Sequence, residues 1–232
     1  MMLQVISTGF ASKTAEQCRR SIKAQDVTVY APVGLLMAPR WDWDWSFVDA
    51  STQTPPKTAS ENVWLMCRDF KPDDIVVWVD LDDWLAGPHA LAAVAWHYEV
   101  YRETLCTYGS FVHANGAPGF ASPYRHGENP RKAPWRATHL KTFKAGLVHR
   151  IDPEDLKLPT GEWTDRAVDM AYMFPIMEMA GLDRCRFIPE VLYVYNSADS
   201  FEANATPEEI ARERRIANHF RCKPSYKRID RL

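Results

Sequence analysis

The sequence has no apolar run approaching the roughly 18 residues that a membrane-spanning helix needs. Residues 1–10 show neither a basic start nor a long apolar stretch, so a secretory leader is not expected either. Cysteine is scarce: Cys18, Cys67, Cys106, Cys185 and Cys222 are odd in number, widely spaced and without a CxxC pair. That pattern indicates neither a disulfide framework nor a zinc knot, and it suits a reducing compartment. The chain therefore reads as a soluble, unexported, cytoplasmic protein. No internal repeat and no low-complexity segment is present, which removes solenoids and disordered tails. Charge of one sign is not in excess either: 28 Lys+Arg stand against 30 Asp+Glu, and a pI near 6.4 argues against binding nucleic acid by bulk charge alone.

What is present is an ordinary folding composition, 46% apolar and 25% charged, over 232 residues. That length predicts one large or decorated domain. Charge is unevenly placed: residues 1–124 carry 9 Lys+Arg against 14 Asp+Glu, and residues 125–232 carry 19 against 16. Arg125, Arg131, Lys132, Arg136, Lys141, Lys144 and Arg150 face only Glu128 as an acid, and a second basic cluster runs over residues 212–231. These are solvated faces or an anion site.

Short β-rich runs alternate with helical patterns, which predicts an α/β layer fold. Residues 3–7 read as a first strand. Ser12 offers an N-cap to a helix burying Ala15, Cys18 and Ile22, and residues 27–31 read as a second strand. Residues 32–56, which contain Trp41-Asp42-Trp43-Asp44-Trp45, read as a long loop or edge hairpin. A helix from Ala59 carries Val63, Met66, Cys67 and Phe70 and ends before Asp74. After residues 75–79, the pattern predicts a helix opened by Gly87-Pro88, a strand over residues 105–112, a loop over 114–134, a helix over 138–150 and a helix over 164–180. A strand at 191–195 and a basic helix from Thr206 complete it.

Ile75-Val76-Val77-Trp78-Val79 is too short for a helix and rich in β-branched residues, as a central strand covered on both faces would be. It ends in Asp80-Leu81-Asp82-Asp83. In extended chain, residues i and i+2 face the same side, so Asp80 and Asp82 present two carboxylates with Cα atoms about 7 Å apart. The carboxyl edge of an open α/β sheet is where ligands bind. Anions crowded there repel unless a cation intervenes, and oxygen-only ligands select Mg²⁺ or Mn²⁺. The bland alternative makes Asp83 the cap of a helix. Phosphatases of the haloacid-dehalogenase type also use Asp-x-Asp, but they want Thr or Val where Trp84 stands and carry the pair on a first strand. A nucleotide-sugar transferase, whose carboxylates hold a metal against the leaving diphosphate, is the better match.

The run from Asp73 to Leu85 resembles the DxD region of family-2-type glycosyltransferases with the GT-A fold. Ile6-Ser7-Thr8-Gly9, followed by Cys18-Arg19-Arg20-Ser21-Ile22-Lys23-Ala24-Gln25, is similar to that family's nucleotide-binding strand and helix. Residues 59–62 resemble the helix start that lines its nucleotide pocket. Thr107-Tyr108-Gly109-Ser110-Phe111, the stretch from Pro134 to Lys144 and Leu192-Tyr193-Val194-Tyr195-Asn196 resemble segments of one subgroup, in the family's order. The resemblance implies a single GT-A-like domain over 1–232 with a mixed, mostly parallel sheet flanked by helices. Residues 1–112 would form its nucleotide-sugar and metal half, and 113–232 its acceptor half. One departure stands out: the family's second strand often ends in acids that help hold the nucleotide, whereas residues 29–34 contain none. Asp42 or Asp44 is a substitute, and Trp41, Trp43 or Trp45 could stack on a ring or pack under the loop.

The resemblance implies an inverting, metal-dependent transfer from a nucleotide sugar, a UDP-hexose, to a hydroxyl acceptor such as a glycan. Ser7, Thr8, Gly9, Asn62, Asp80 and Lys141 are the expected donor-binding residues, and Asp80, Asp82 and His139 the expected ligands of Mn²⁺ or Mg²⁺. The base comes from residues 161–171, with Asp169 the first candidate, Asp165 the alternate and Glu162 next. His139 and Lys141, expected at a basic helix start, would meet a diphosphate, and Trp163 would stack on an acceptor sugar. Two other readings remain: the same chemistry on a hydroxymethylated base in phage DNA, with the basic clusters tracking phosphates, and a nucleotide-sugar or glycan-binding module without turnover.

Overall fold

Valine and isoleucine crowd a helix but fit a pleated sheet, and residues 75–79 accordingly lie at the heart of one. The structure, a computed structural model, describes residues 2–8, 14–28, 44–52, 57–198 and 201–232. Its elements are β1 (Leu3–Thr8), α1 (Ala15–Lys23), β2 (Trp45–Asp49), α2 (Ala59–Arg68), β3 (Ile75–Asp80), β4 (Trp84–Leu85) and α3 (Ala90–Val100). They continue with β5 (Cys106–His113), β6 (Lys141–Lys144), α4 (Ala145–Val148), α5 (Val168–Ala180), β7 (Cys185–Tyr195), α6 (Phe201–Asn204) and α7 (Pro207–Cys222). The strands form one mixed sheet in the order β2-β1-β3-β6-β5-β7-β4. β1 pairs in parallel with β2 and β3, β5 in parallel with β7, and β6 runs antiparallel between β3 and β5. Strands from residues 1–112 and 113–232 are thus interleaved in a single α/β domain, as expected.

The two-residue period of β3 divides its side chains between two cores. Ile75, Val77 and Val79 pack with Cys18 and Ile22 of α1 and Leu91 and Val94 of α3. Val76 and Trp78 pack with Val63 of α2, Tyr172 and Phe174 of α5 and Phe220 of α7. α5 is apolar on nearly every face because it lies inside the molecule, and the Tyr172 hydroxyl donates to the Ser60 carbonyl at 2.6 Å, tying it to α2. α7 begins with a reciprocal capping box between Thr206 and Glu209. Gly109 is required by a close approach: a Cβ there would lie 2.9 Å from the Ile188 carbonyl, where the β5–β7 register shifts past Pro189 and Glu190.

Several expectations are corrected. Val27 and Thr28 lie outside any strand, and residues 29–31 lie outside the described residues. The strand beside β1 is instead β2, a parallel edge strand inside the stretch read as loop or hairpin. Residues 138–150 are not one helix. Lys141–Lys144 is β6, because Thr142 and Phe143 fill the gap between β3 and β5, with the Thr142 hydroxyl meeting those of Thr107 (2.6 Å) and Tyr98 (3.0 Å); only Ala145–Val148 is helical. The helix expected from residue 164 starts at Val168, because Ala167 turns into the left-handed region at φ 51°. β7 reaches back to Cys185, and Asp83 precedes β4 rather than a helix.

Candidate active site

The pairing directions give β1, β2, β3, β5 and β7 a common sense, so Thr8, Asp49, Asp80, His113 and Tyr195 end on one edge of the sheet. A cleft of about 820 Å³ opens there, lined among others by Asp80, Asp82, Asp83, His139, Asp165, Asp169 and Tyr195. Five carboxylates around one cleft are expected to repel one another.

Lys141 answers part of that repulsion from beneath. It is fully buried on β6, opposite Trp78 of β3, with its ammonium 4.6 Å from the Trp78 ring centroid. Nζ donates to Asp169 Oδ1 at 2.7 Å and to Asp80 Oδ2 at 3.4 Å. Burial alone would lower its pKa, but the carboxylates of Asp169 and Asp80 outweigh burial and raise it, so the group is a cation bridging the two carboxylates. Asp80 is pushed up to about 6, first by burial, which Lys141 opposes, and then by Asp169 and Asp82. Asp83 is 1% exposed and pushed up to about 8 by burial and by Asp80 and Asp82, although it accepts from the Tyr193 hydroxyl (2.8 Å) and the Asn196 N–H (2.7 Å). The Tyr193 hydroxyl also accepts from the Asp80 N–H at 3.0 Å, fixing the strand end.

His139 stacks on Tyr193 with centroids 4.6 Å apart and rings 10° from parallel, and its Nδ1 lies 3.5 Å from Asp80 Oδ2. Burial and then Lys141 hold its pKa well below the ordinary value, so the imidazole is neutral, the form that ligates metals. Among the described residues, Asp80, Asp83 and His139 each offer a ligand atom within 4.8 Å of the others. Two carboxylates whose ionised forms are disfavoured by burial and by their acidic neighbours, beside a neutral imidazole, are a donor set that a divalent cation would relieve.

The fold is the GT-A-like one that the sequence resemblance implies. Residues 1–349 of S. aureus TarS match with a TM-score of 0.59 and 15% identity, over 95% of this chain and 65% of that one. The same TarS segment in complex with UDP-GlcNAc matches at 0.58 and 12%, over 95% and 66%. A longer TarS chain matches at 0.56 and 14%, over 94% and 39%. The chain thus spans slightly less than two thirds of the TarS 1–349 length. No protein-family model and no curated protein sequence matches it. At such identities the likeness shows the fold alone.

Of the residues singled out in the sequence, the GT-A scaffold brings Asp80, Asp82, His139, Asp165 and Asp169 to the cleft. Lys141 lies behind its wall and sits on a strand, so the helix-start phosphate donors expected at residues 139–141 are absent. Ser7 and Thr8 are buried at the end of β1; the Ser7 hydroxyl meets the Cys18 thiol at 3.7 Å, and Thr8 Oγ1 accepts from the Trp78 indole at 3.0 Å. Asn62 is buried on α2, and its Oδ1 has no hydrogen-bond partner. Trp163 lies apart, 5.8 Å from the Trp64 ring, in a second cavity of about 450 Å³ that shares Asp165 with the cleft and includes Glu162. Asp165 is exposed and held by Arg212 through bonds of 3.0 and 2.8 Å. Gly9, Trp41, Asp42 and Trp43 lie outside the described residues; Asp44 is exposed, and Trp45 packs against the core from β2.

Two acids escaped the sequence reading. Asp83 belongs to the acidic run read at the strand end but is not singled out there as a ligand, its individual reading being a helix cap. Asp49 ends β2 beside Ser7 and is bound by Arg19 Nε at 2.7 Å and by the Ser51 hydroxyl. Burial opposes its ionisation, but those bonds hold its pKa below the ordinary value. The signal was available as a β-rich Trp45-Ser46-Phe47-Val48 run closed by an acid.

Proposed function

We propose that the chain is a metal-dependent, inverting glycosyltransferase that moves a hexose from a UDP-sugar to a hydroxyl of a glycan. The observation that carries this reading is that Asp169 lines the same cleft as the Asp80–Asp83 cluster and shares the Lys141 ammonium with Asp80, in a fold shared with a protein solved with UDP-GlcNAc. In this reading Asp80, Asp83 and His139, with Asp82 of the same acidic run, hold Mn²⁺ or Mg²⁺, which when bound neutralises charge on the leaving diphosphate. Asp169 at the start of α5 takes the proton from the acceptor hydroxyl as it attacks. Lys141 orients Asp169 from behind and does not touch the donor. Asp49, an acid at the end of the second strand, supplies the nucleotide contact that residues 29–34 lack. Asp165 serves the acceptor wall through its Arg212 pair. Trp163 extends that wall.

The DNA-acceptor reading loses support from the basic clusters. Arg131 pairs with Glu178 and Arg136 with Glu128, while Lys141 pairs with Asp169, Lys144 with Asp73, Arg212 with Asp165 and Arg228 with Asp183. Such cations offer no continuous track for phosphates. Release of UDP from a panel of UDP-sugars in Mn²⁺, with and without glycan acceptors, tests the reading. Turnover that disappears in EDTA and in Asp169→Asn is expected. Tight donor binding without any turnover would make the chain a binding module instead.

A further inference from the structure

Cys106 and Cys185 open β5 and β7 and face each other as register partners of the parallel pair. Neighbouring strands lie about 4.8 Å apart, and paired residues on parallel strands point to the same side. That spacing falls inside the roughly 4.4–6.8 Å Cα separation that a disulfide requires. The two thiols touch, sulfur to sulfur, at 2.9 Å, although 79 residues separate them in sequence. All five cysteines are free, and among the described residues this is the cysteine pair in contact. Cys106 is buried and Cys185 is the less buried of the two, so Cys185 is the member an oxidant meets first.

We propose that Cys106 and Cys185 are a covalent modification site that closes to an intramolecular disulfide on exposure to a small disulfide oxidant. The Cys185 thiolate attacks one sulfur of oxidised glutathione, and one glutathione thiolate leaves. The buried Cys106 thiol then attacks Cys185 Sγ, passing its proton to the second glutathione as that thiolate is displaced. Two protein thiols and one glutathione disulfide thus become one protein disulfide and two glutathione thiols. Burial and the Cys106 sulfur raise the Cys185 pKa well above the ordinary thiol value, so the reaction is slow at neutral pH and faster in mild alkali. The pair sits at the opposite end of β5 and β7 from His113 and Tyr195, so the cross-link braces the sheet without entering the cleft. It also closes a long loop that contains β6, α4 and α5.

The test treats the full chain with oxidised glutathione at mildly alkaline pH, alkylates remaining thiols under denaturing conditions, digests without reductant and weighs the peptides. The expected product is a Cys106–Cys185 linked pair two hydrogens lighter than the separate peptides, lost in Cys106→Ser and in Cys185→Ser. A melting temperature raised by about 5 °C or more and restored by reductant should accompany it. Exposed Cys222 reports that the oxidant is active. Should the serine variants fail to fold, the linked peptide from the wild-type chain decides alone. Alkylated Cys106 and Cys185, or separate glutathione adducts on each, in a sample whose Cys222 has reacted would overturn the proposal.

Discussion

An aspartate carboxyl ordinarily titrates near 3.8, but Asp83 is held to about 8 by burial and by its acidic neighbours, and Asp80 to about 6. Between these values and 3.8 the folded chain keeps protons that the unfolded chain has released. The stability these groups contribute is therefore complete below about pH 3.8 and is lost as pH rises through their folded pKa values. In EDTA the melting temperature should fall between about pH 5 and pH 8, and Asp83→Asn should flatten that fall. An unchanged slope in the variant would place the titration elsewhere. Bound Mn²⁺ requires the ionised carboxylates, so its stabilising effect should grow over the same range. Asp169→Asn should lower turnover by roughly 10²- to 10⁴-fold while leaving UDP affinity in Mn²⁺ nearly intact. Asp165→Asn, which removes only an exposed pair with Arg212, should slow it far less; the reverse ranking in kcat would move the base to Asp165. The strand-end carboxylates were legible because a strand period and an acidic stop occur together at Val79-Asp80. Asp83 was not, because its approach to Asp80 and His139 depends on the hydrogen bonds from Tyr193 and Asn196, more than 100 residues away.

Elements with local patterning were readable, and elements made by distant partners were not. α1 and α2 bury the residues their helical spacing selects, and α7 begins at the Thr206 cap. β6 is the counter-example. Four residues carry no reliable period, and what makes them a strand is the gap between β3 and β5, which brings Lys141 beneath the cleft. Phe143, fully buried in that strand, should cost about 3–5 kcal/mol when changed to Ala, measured by denaturant unfolding. At the entry to α5, Ala167 holds a left-handed conformation that disfavours a Cβ by roughly 1–2 kcal/mol, whereas glycine costs about 0.5–1 kcal/mol in chain entropy. Ala167→Gly should therefore leave stability unchanged or raise it by up to about 1 kcal/mol. A clear loss in the same measurement would show that the Ala167 methyl is needed for packing.

At the scale of the molecule, five like-directed strands, interrupted by β6, gather the chemistry on one edge. β4 and β6 run the other way: β4 lies at one edge, and β6, between β3 and β5, carries the buried lysine. The GT-A resemblance was readable from the order of short motifs, each weak alone, and the fold agrees with it. The β1 side of the sheet was less readable because its second strand is β2, downstream of where a strand was expected. The central claim is that a nucleotide diphosphate binds at the Asp80 edge through a divalent cation. Calorimetric titration of UDP into the wild-type chain and Asp80→Asn, each with Mn²⁺ and with EDTA, tests it most directly. Binding by the wild-type chain in Mn²⁺, with most of the signal lost in EDTA and in the variant, is the expected result. UDP binding of equal strength in all four titrations would contradict the account.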